Sequence, residues 1–167
     1  MTAEEIRKYL GELNDELSEI DLKGEISLYG GAVMCLVYNA RPATKDVDAI
    51  FRPASEMRKA ISSVAQRNGL PDDWINDGVK DFLVRHPQRI YLDLSNLKIF
   101  VPEPDYLLAM KAMSARPETV DRDDVITLIR LLDIKKANEV FSILEKYYPS
   151  QQIKPATQYF IEELFER

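Results

Sequence analysis

Two aspartates one residue apart, Asp46 and Asp48 in the stretch KDVDAIF, are the side chains of this sequence best placed to do chemistry. On a β-strand, residues two apart project from the same face with their Cα atoms roughly 6–7 Å apart, so both carboxylates can address one divalent cation or bridge two. Magnesium suits such a pair, because it takes oxygen ligands, keeps several waters and shares substrate phosphates. A dry core face is excluded, since two unpaired like charges are too costly to bury. Spacing alone favours a plainer reading, a pair facing solvent on a half-exposed strand. Gly30-Gly31 shifts the balance. The two glycines follow a strand-like run and open an apolar helical one, which sets unobstructed backbone N–H groups where an anionic phosphate is favoured. The alternative is a tight strand-to-helix turn that needs a positive φ.

The elements that must position these residues can be read from periodicity. Residues 2–20 carry apolar side chains at Ile6, Leu10, Leu13, Leu17 and Ile20, a helical stripe, and Thr2 with Glu5 fits a capping box. ISLYG reads as a short buried strand, GAVMCLVYNA as a short apolar helix closing near Asn39, and RPAT as a loop. In KDVDAIF the alternation sets Val47, Ala49 and Phe51 on one face and Asp46, Asp48 and Ile50 on the other. Residues 53–68 form a second amphipathic helix with Met57, Ile61, Val64 and Ala65 inward. NGLPDDWINDG reads as loop with a short helical turn, and RIYLDL and LKIFVP as two strands. Helical patterns follow over 106–115, 123–132, 137–147 and 156–165. The expected class is α+β: a small mixed β-sheet flanked by helices in residues 1–103, with a helical C-terminal part over 104–167 packed on that core.

The order glycine pair, apolar helix, then Arg41-x-x-Thr44-x-Asp46-x-Asp48 resembles the nucleotidyltransferase superfamily, the polymerase-beta-like fold, and within it the AbiEii-type branch of bacterial toxin–antitoxin proteins. KAMSAR, with Lys111 and Arg116, and DRDDVITL, with Arg122, Asp123 and Asp124, match its later motifs in compact form. The resemblance spans about residues 28–132. It implies that Asp46 and Asp48 bind magnesium, that Gly30 and Gly31 cradle the phosphates of a nucleoside triphosphate, and that Arg41, Thr44 and Arg116 belong to the nucleotide site. Many polymerase-beta-like enzymes carry a third strand carboxylate, for which Asp93 is the candidate here. The AbiEii-type branch uses a helix lysine and aspartate, which singles out Lys111 as a clamp on phosphate or departing pyrophosphate and Asp124 as a base or as the group orienting Lys111. On residue type alone, Lys111 reads equally as a snorkelling surface lysine, Asp124 as an acidic first-turn residue favoured by the helix dipole, and Arg41 and Arg116 as solvated or ion-paired arginines. Ala32 stands where the family often has Thr or Ser.

Bulk properties bound the partners. The 46% hydrophobic and 30% charged fractions are those of a folded globular chain. A net charge of −6, from 28 acidic and 22 basic residues, argues against a general nucleic-acid coating protein while leaving room for a local basic groove. Cys35 alone cannot form an intramolecular disulfide, and its apolar neighbours mark it as a core thiol. The charged amphipathic start is no signal peptide and no apolar run is long enough for a membrane span, so a cytoplasmic location without membrane association is expected. His86 lacks a second histidine or cysteine to complete a metal site, and Trp74 reads as loop packing. The leading expectation is magnesium-dependent transfer of a nucleotide from an NTP to a tRNA or protein acceptor, in a toxin with a cognate antitoxin; the alternative is a degenerate member of the fold that binds a nucleotide or a partner.

Overall fold

Thr2 begins the first helix, α1 (Ala3–Glu19), as its spacing to Glu5 predicts: the Glu5 N–H donates to the Thr2 hydroxyl and the Thr2 N–H donates back to the Glu5 carboxylate. Ile6, Leu10, Leu13 and Leu17 on its stripe are fully buried, whereas Ile20, just past its end, is 58% exposed. The computed structural model describes residues 1–114 and 120–166. They divide into one unit of Met1–Leu83 with Gln88–Pro102 and a second of Val84–Pro87 with Glu103–Arg167.

The first unit is built on five strands, β1 (Gly24–Tyr29), β2 (Val47–Arg52), β3 (Ile75–Asn76), β4 (Gln88–Asp93) and β5 (Leu97–Pro102), in the order β3-β2-β1-β5-β4. β1 runs antiparallel to β2 and parallel to β5, β3 is parallel to β2, and β4 is antiparallel to β5, so the sheet is mixed as expected. Helices α1 and α3 (Ala54–Asn68) pack together, and Leu17 and Met57 fill the space in front of Gly24. Ile26 and Leu28, two and four residues along from Gly24, share its face and are buried, as are Val47, Ala49, Ile99 and Val101. Met57, Ile61, Val64 and Ala65 are buried too, on the α3 face the sequence sets inward.

The stretch expected to be loop between α3 and the next turn contains β3, a correction to the sequence reading. Two residues are too few to show alternation, and their pairing is imposed from outside. The Val47 N–H donates to the Trp74 carbonyl at 2.8 Å, and the Trp74 indole donates to the Ile61 carbonyl at 3.0 Å while its ring meets Tyr9 edge-on. Trp74 is thus a core anchor, 1% exposed, in keeping with loop packing. A 3-10 helix over Gly78–Phe82 follows.

The second unit holds α4 (Pro104–Ser114), α5 (Val120–Leu131), α6 (Ala137–Tyr147) and α7 (Pro155–Glu163), with α5, α6 and α7 all packed on α4. Val84–Pro87 groups with these helices. His86 stacks face to face on Tyr106 with ring centres 3.8 Å apart, and the Val84 N–H donates to the Tyr106 hydroxyl at 3.2 Å. No helix among the described residues is long and apolar enough to cross a membrane.

Candidate functional site

The first unit gathers six of the sequence-selected residues around one turn. β1 ends at Tyr29 in extended geometry, and the chain enters α2 (Gly30–Leu36) through Gly30 at φ +62, in the left-handed region that a side chain rarely tolerates. Tyr29 is in register with Asp48 on the antiparallel neighbour, which brings the glycine turn directly onto the start of β2. A Cβ at Gly30 would lie 2.6 Å from Asp48 Oδ2; one at Gly31 would lie 2.6 Å from Thr44 Oγ1 and 2.7 Å from Arg41 Nη1. Each glycine is therefore a close-approach position with its own polar partner. The backbone is exposed to Asp48 at Gly30, and to the hydroxyl and guanidinium of the preceding loop at Gly31.

That loop is pinned from both sides. The Thr44 N–H donates to the Met1 carbonyl at 2.9 Å, Ala43 forms a bridge with Thr2, and the Thr44 hydroxyl donates to the Asp46 carbonyl at 3.2 Å. Asp46 and Asp48 are both half-buried while Val47 and Ala49 between and beyond them are fully buried. The chemistry of this donor set fits a hard divalent cation: one carboxylate on β2 and one on the residue just before it, neither in a dry core, beside a turn of bare backbone and an arginine suited to phosphate.

The structure separates Asp93 from this group. Asp93 pairs with Lys98 on β5, Lys98 is level with Glu25 on β1, and Glu25 lies opposite Arg52, whereas Asp48 lies opposite Tyr29 at the other end of the same strand. Four residues of strand amount to ~13 Å. Asp93 instead lines a cavity of about 650 Å³ with Lys23, Glu25, Arg52 and Lys98. Among the described residues, no group of three or more histidine, cysteine, aspartate or glutamate side chains is placed to hold a metal ion. Asn76 was missed by sequence reasoning. It sits on β3 in register with Asp48, and its amide donates to Asp46 Oδ2 at 3.2 Å.

Lys111 and Asp124 lie in the second unit, and there they are partners. Lys111 is 8% exposed and Asp124 1%, with Nζ 2.7 Å from Asp124 Oδ2. Burial removes the snorkelling reading of Lys111. A second carboxylate, Asp121, lies 3.2 Å from the same nitrogen. Asp121 precedes Asp124 by three residues on α5, so both face one side of the helix; that spacing was the signal for it. Arg122 and Asp123, which the motif match selected, are not part of this cluster: the Arg122 guanidinium lies over the Phe160 ring at 5.9 Å, and Asp123 is exposed. Arg116 falls outside the described residues.

Neither a curated protein nor a solved structure is matched by the chain. A family model described as "Nucleotidyltransferase of unknown function (DUF6036)" does match, over residues 8–164. That match takes in the glycine turn, the Arg41–Asp48 segment and the Lys111–Asp124 helices alike, and it does not extend to the AbiEii-type assignment. On nearly its whole length, the chain belongs to this nucleotidyltransferase family.

Proposed function

We propose that the first unit carries a magnesium-dependent nucleotidyl-transfer site, in which an acceptor oxygen attacks the α-phosphorus of an NTP and pyrophosphate leaves. The observation that carries the reading is the fit of the two glycines against Asp48 and against Thr44 with Arg41, since it sets a turn of bare backbone directly against one acid of the pair and the loop that leads to the other. Asp46 and Asp48 would hold the magnesium, whose chemistry would be to neutralise the charge developing on the phosphates. The chain's own part is positional. Gly30 and Gly31 let phosphate approach bare backbone, Arg41 offers a planar donor fork, and Thr44 fixes the loop that presents Asp46. Lys111 as a phosphate clamp and Asp124 as base or orienting group, both in the second unit, rest on motif resemblance. So do a tRNA or protein acceptor, the AbiEii-type toxin role and a cognate antitoxin.

A second reading, a nucleotide- or partner-binding protein that does not turn over, is favoured by one observation: the ammonium of Lys111 is already held by two carboxylates, and a phosphate must compete with both. The deciding experiment incubates the full chain with magnesium and each α-labelled NTP in the presence of total RNA and protein. Label transferred by the wild type and lost in Asp48→Ala supports the enzyme. NTP binding without transfer supports the second reading, and absence of NTP binding in the presence of magnesium refutes the enzyme and the nucleotide-binding form of the second reading, leaving its partner-binding form.

A further inference from the structure

Asp46 precedes the first residue of β2, Val47, so the strand ladder does not by itself fix its carboxylate. Asn76 does. The amide of Asn76 is engaged at both ends: the Gly78 N–H donates to Oδ1 at 3.3 Å, and Nδ2 donates to Asp46 Oδ2 at 3.2 Å. The partners dictate which end is which, because a main-chain N–H needs an oxygen and an ionised carboxylate needs a donor. Asn76 itself is anchored by the pairing of β3 with β2, in register with Asp48.

We infer that Asn76 is a positioning residue for the candidate metal site, tying one oxygen of Asp46 to β3 and leaving the other to face a cation. The inference rests on the metal-site reading above and names a residue that this reading does not contain. It also gives the site a physical character. Two carboxylates two residues apart repel each other when no cation is bound, and a neutral amide donor eases that repulsion without adding the charge a third carboxylate would bring. Asn76 acts through Asp46 and not as a ligand, since its own oxygen is turned to Gly78.

The test is Mn²⁺ binding to the full chain, followed by the paramagnetic resonance of the free ion, for the wild type, Asn76→Ala and Arg58→Ala. Arg58 holds the adjacent Asp77 through a 2.6 Å ion pair and so steadies the same segment without touching Asp46. Loss of one charge-assisted hydrogen bond should weaken Mn²⁺ binding by about tenfold in Asn76→Ala, with the metal-free melting midpoint within about 3 °C of wild type. Arg58→Ala should bind Mn²⁺ within about twofold of wild type. Unchanged affinity in Asn76→Ala, equal weakening in both variants, or a melting loss that accounts for the weaker binding overturns the inference while leaving the metal site in place. A wild-type chain that binds no Mn²⁺ removes the metal site itself.

Discussion

Replacing the glycines one at a time separates backbone strain from crowding at the site. Gly30 and Gly31 are neighbours with different constraints: Gly30 sits at φ +62 and its missing Cβ would strike Asp48, whereas Gly31 has no positive φ and its missing Cβ would strike Thr44 and Arg41. Gly11, in α1 with nothing within 4 Å of its Cβ position, is the internal control. An L-residue forced into the left-handed region costs about 1–2 kcal/mol, and an alanine in a helix interior gains roughly 0.5–1 kcal/mol over glycine. Gly30→Ala and Gly11→Ala should thus differ by about 1.5–3 kcal/mol. At about 2–4 °C per kcal/mol for a chain of this length, that is a gap of ~3–12 °C in melting midpoint. In Gly31→Ala the long Arg41 side chain can swing away, but Thr44 must turn and give up its 3.2 Å bond to the Asp46 carbonyl, a loss of about 0.5–1.5 kcal/mol.

The assay is thermal unfolding followed by tryptophan fluorescence. Trp74 is the sole tryptophan, it is 1% exposed, and it lies in the same unit as all three glycines. The expected order of midpoints is Gly11→Ala, wild type, Gly31→Ala, Gly30→Ala. Binding of NTP with magnesium should be lost in both Gly30→Ala and Gly31→Ala, so that Gly31→Ala couples a small stability loss to a large functional one. A Gly30→Ala protein as stable as Gly11→Ala would refute the strain argument, and a Gly31→Ala protein that binds NTP like the wild type would refute the close-approach argument.

Two further perturbations test the second unit. Asp124→Ala leaves the buried Lys111 ammonium, among the described residues, with Asp121, whose side chain is 30% exposed, and should destabilise by about 3–5 kcal/mol, whereas Asp121→Ala should cost about 1 kcal/mol or less; equal losses by calorimetry would contradict the burial difference. Burial holds the His86 imidazole below its ordinary value of 6.5, against a smaller opposing effect of the Val84 carbonyl, so the unfolded chain takes up protons first and the stability due to neutral His86, complete above pH 6.5, falls as pH drops below that value. Melting midpoints between pH 7.5 and 5.5 should decline in the wild type and flatten in His86→Phe, which keeps a ring against Tyr106; parallel curves would refute it.

How much of this was legible in the sequence depends on which force fixed each residue. The capping box of α1, the helical stripes and the inward face of α3 follow from local periodicity, and the structure has them where the pattern sets them. β3 was not legible, because its two residues are a strand only through Trp74 and the edge of β2. Asn76 was illegible for the same reason: its significance comes from a partner across the sheet. Asp121 was half legible, since the i, i+3 spacing to Asp124 was available but the motif match drew attention to Arg122 and Asp123. Asp93 shows the reverse error. Its residue type was suitable, but strand pairing, which no local pattern encodes, set it at the end of the sheet away from Asp48.

Asp48 was legible because one alternation does two jobs. Val47 and Ala49 are fully buried and Asp48 between them is half-buried, so the parity that seals the core also turns Asp48 outward, whereas Asp46, just before the strand, is held by Asn76. A one-residue slip of β2 against β1 would drive Asp48 into the apolar face and expose Ala49, which the cost of burying a charge forbids. The same register sets Tyr29 opposite Asp48, and from Tyr29 the chain can reach α2 only through the turn at Gly30. The glycine turn and Asp48 are therefore joined by the register that holds the core together. A substitution that loosened β1 against β2 would dismantle the site as well, whereas Gly31→Ala should spoil the site and leave the register intact.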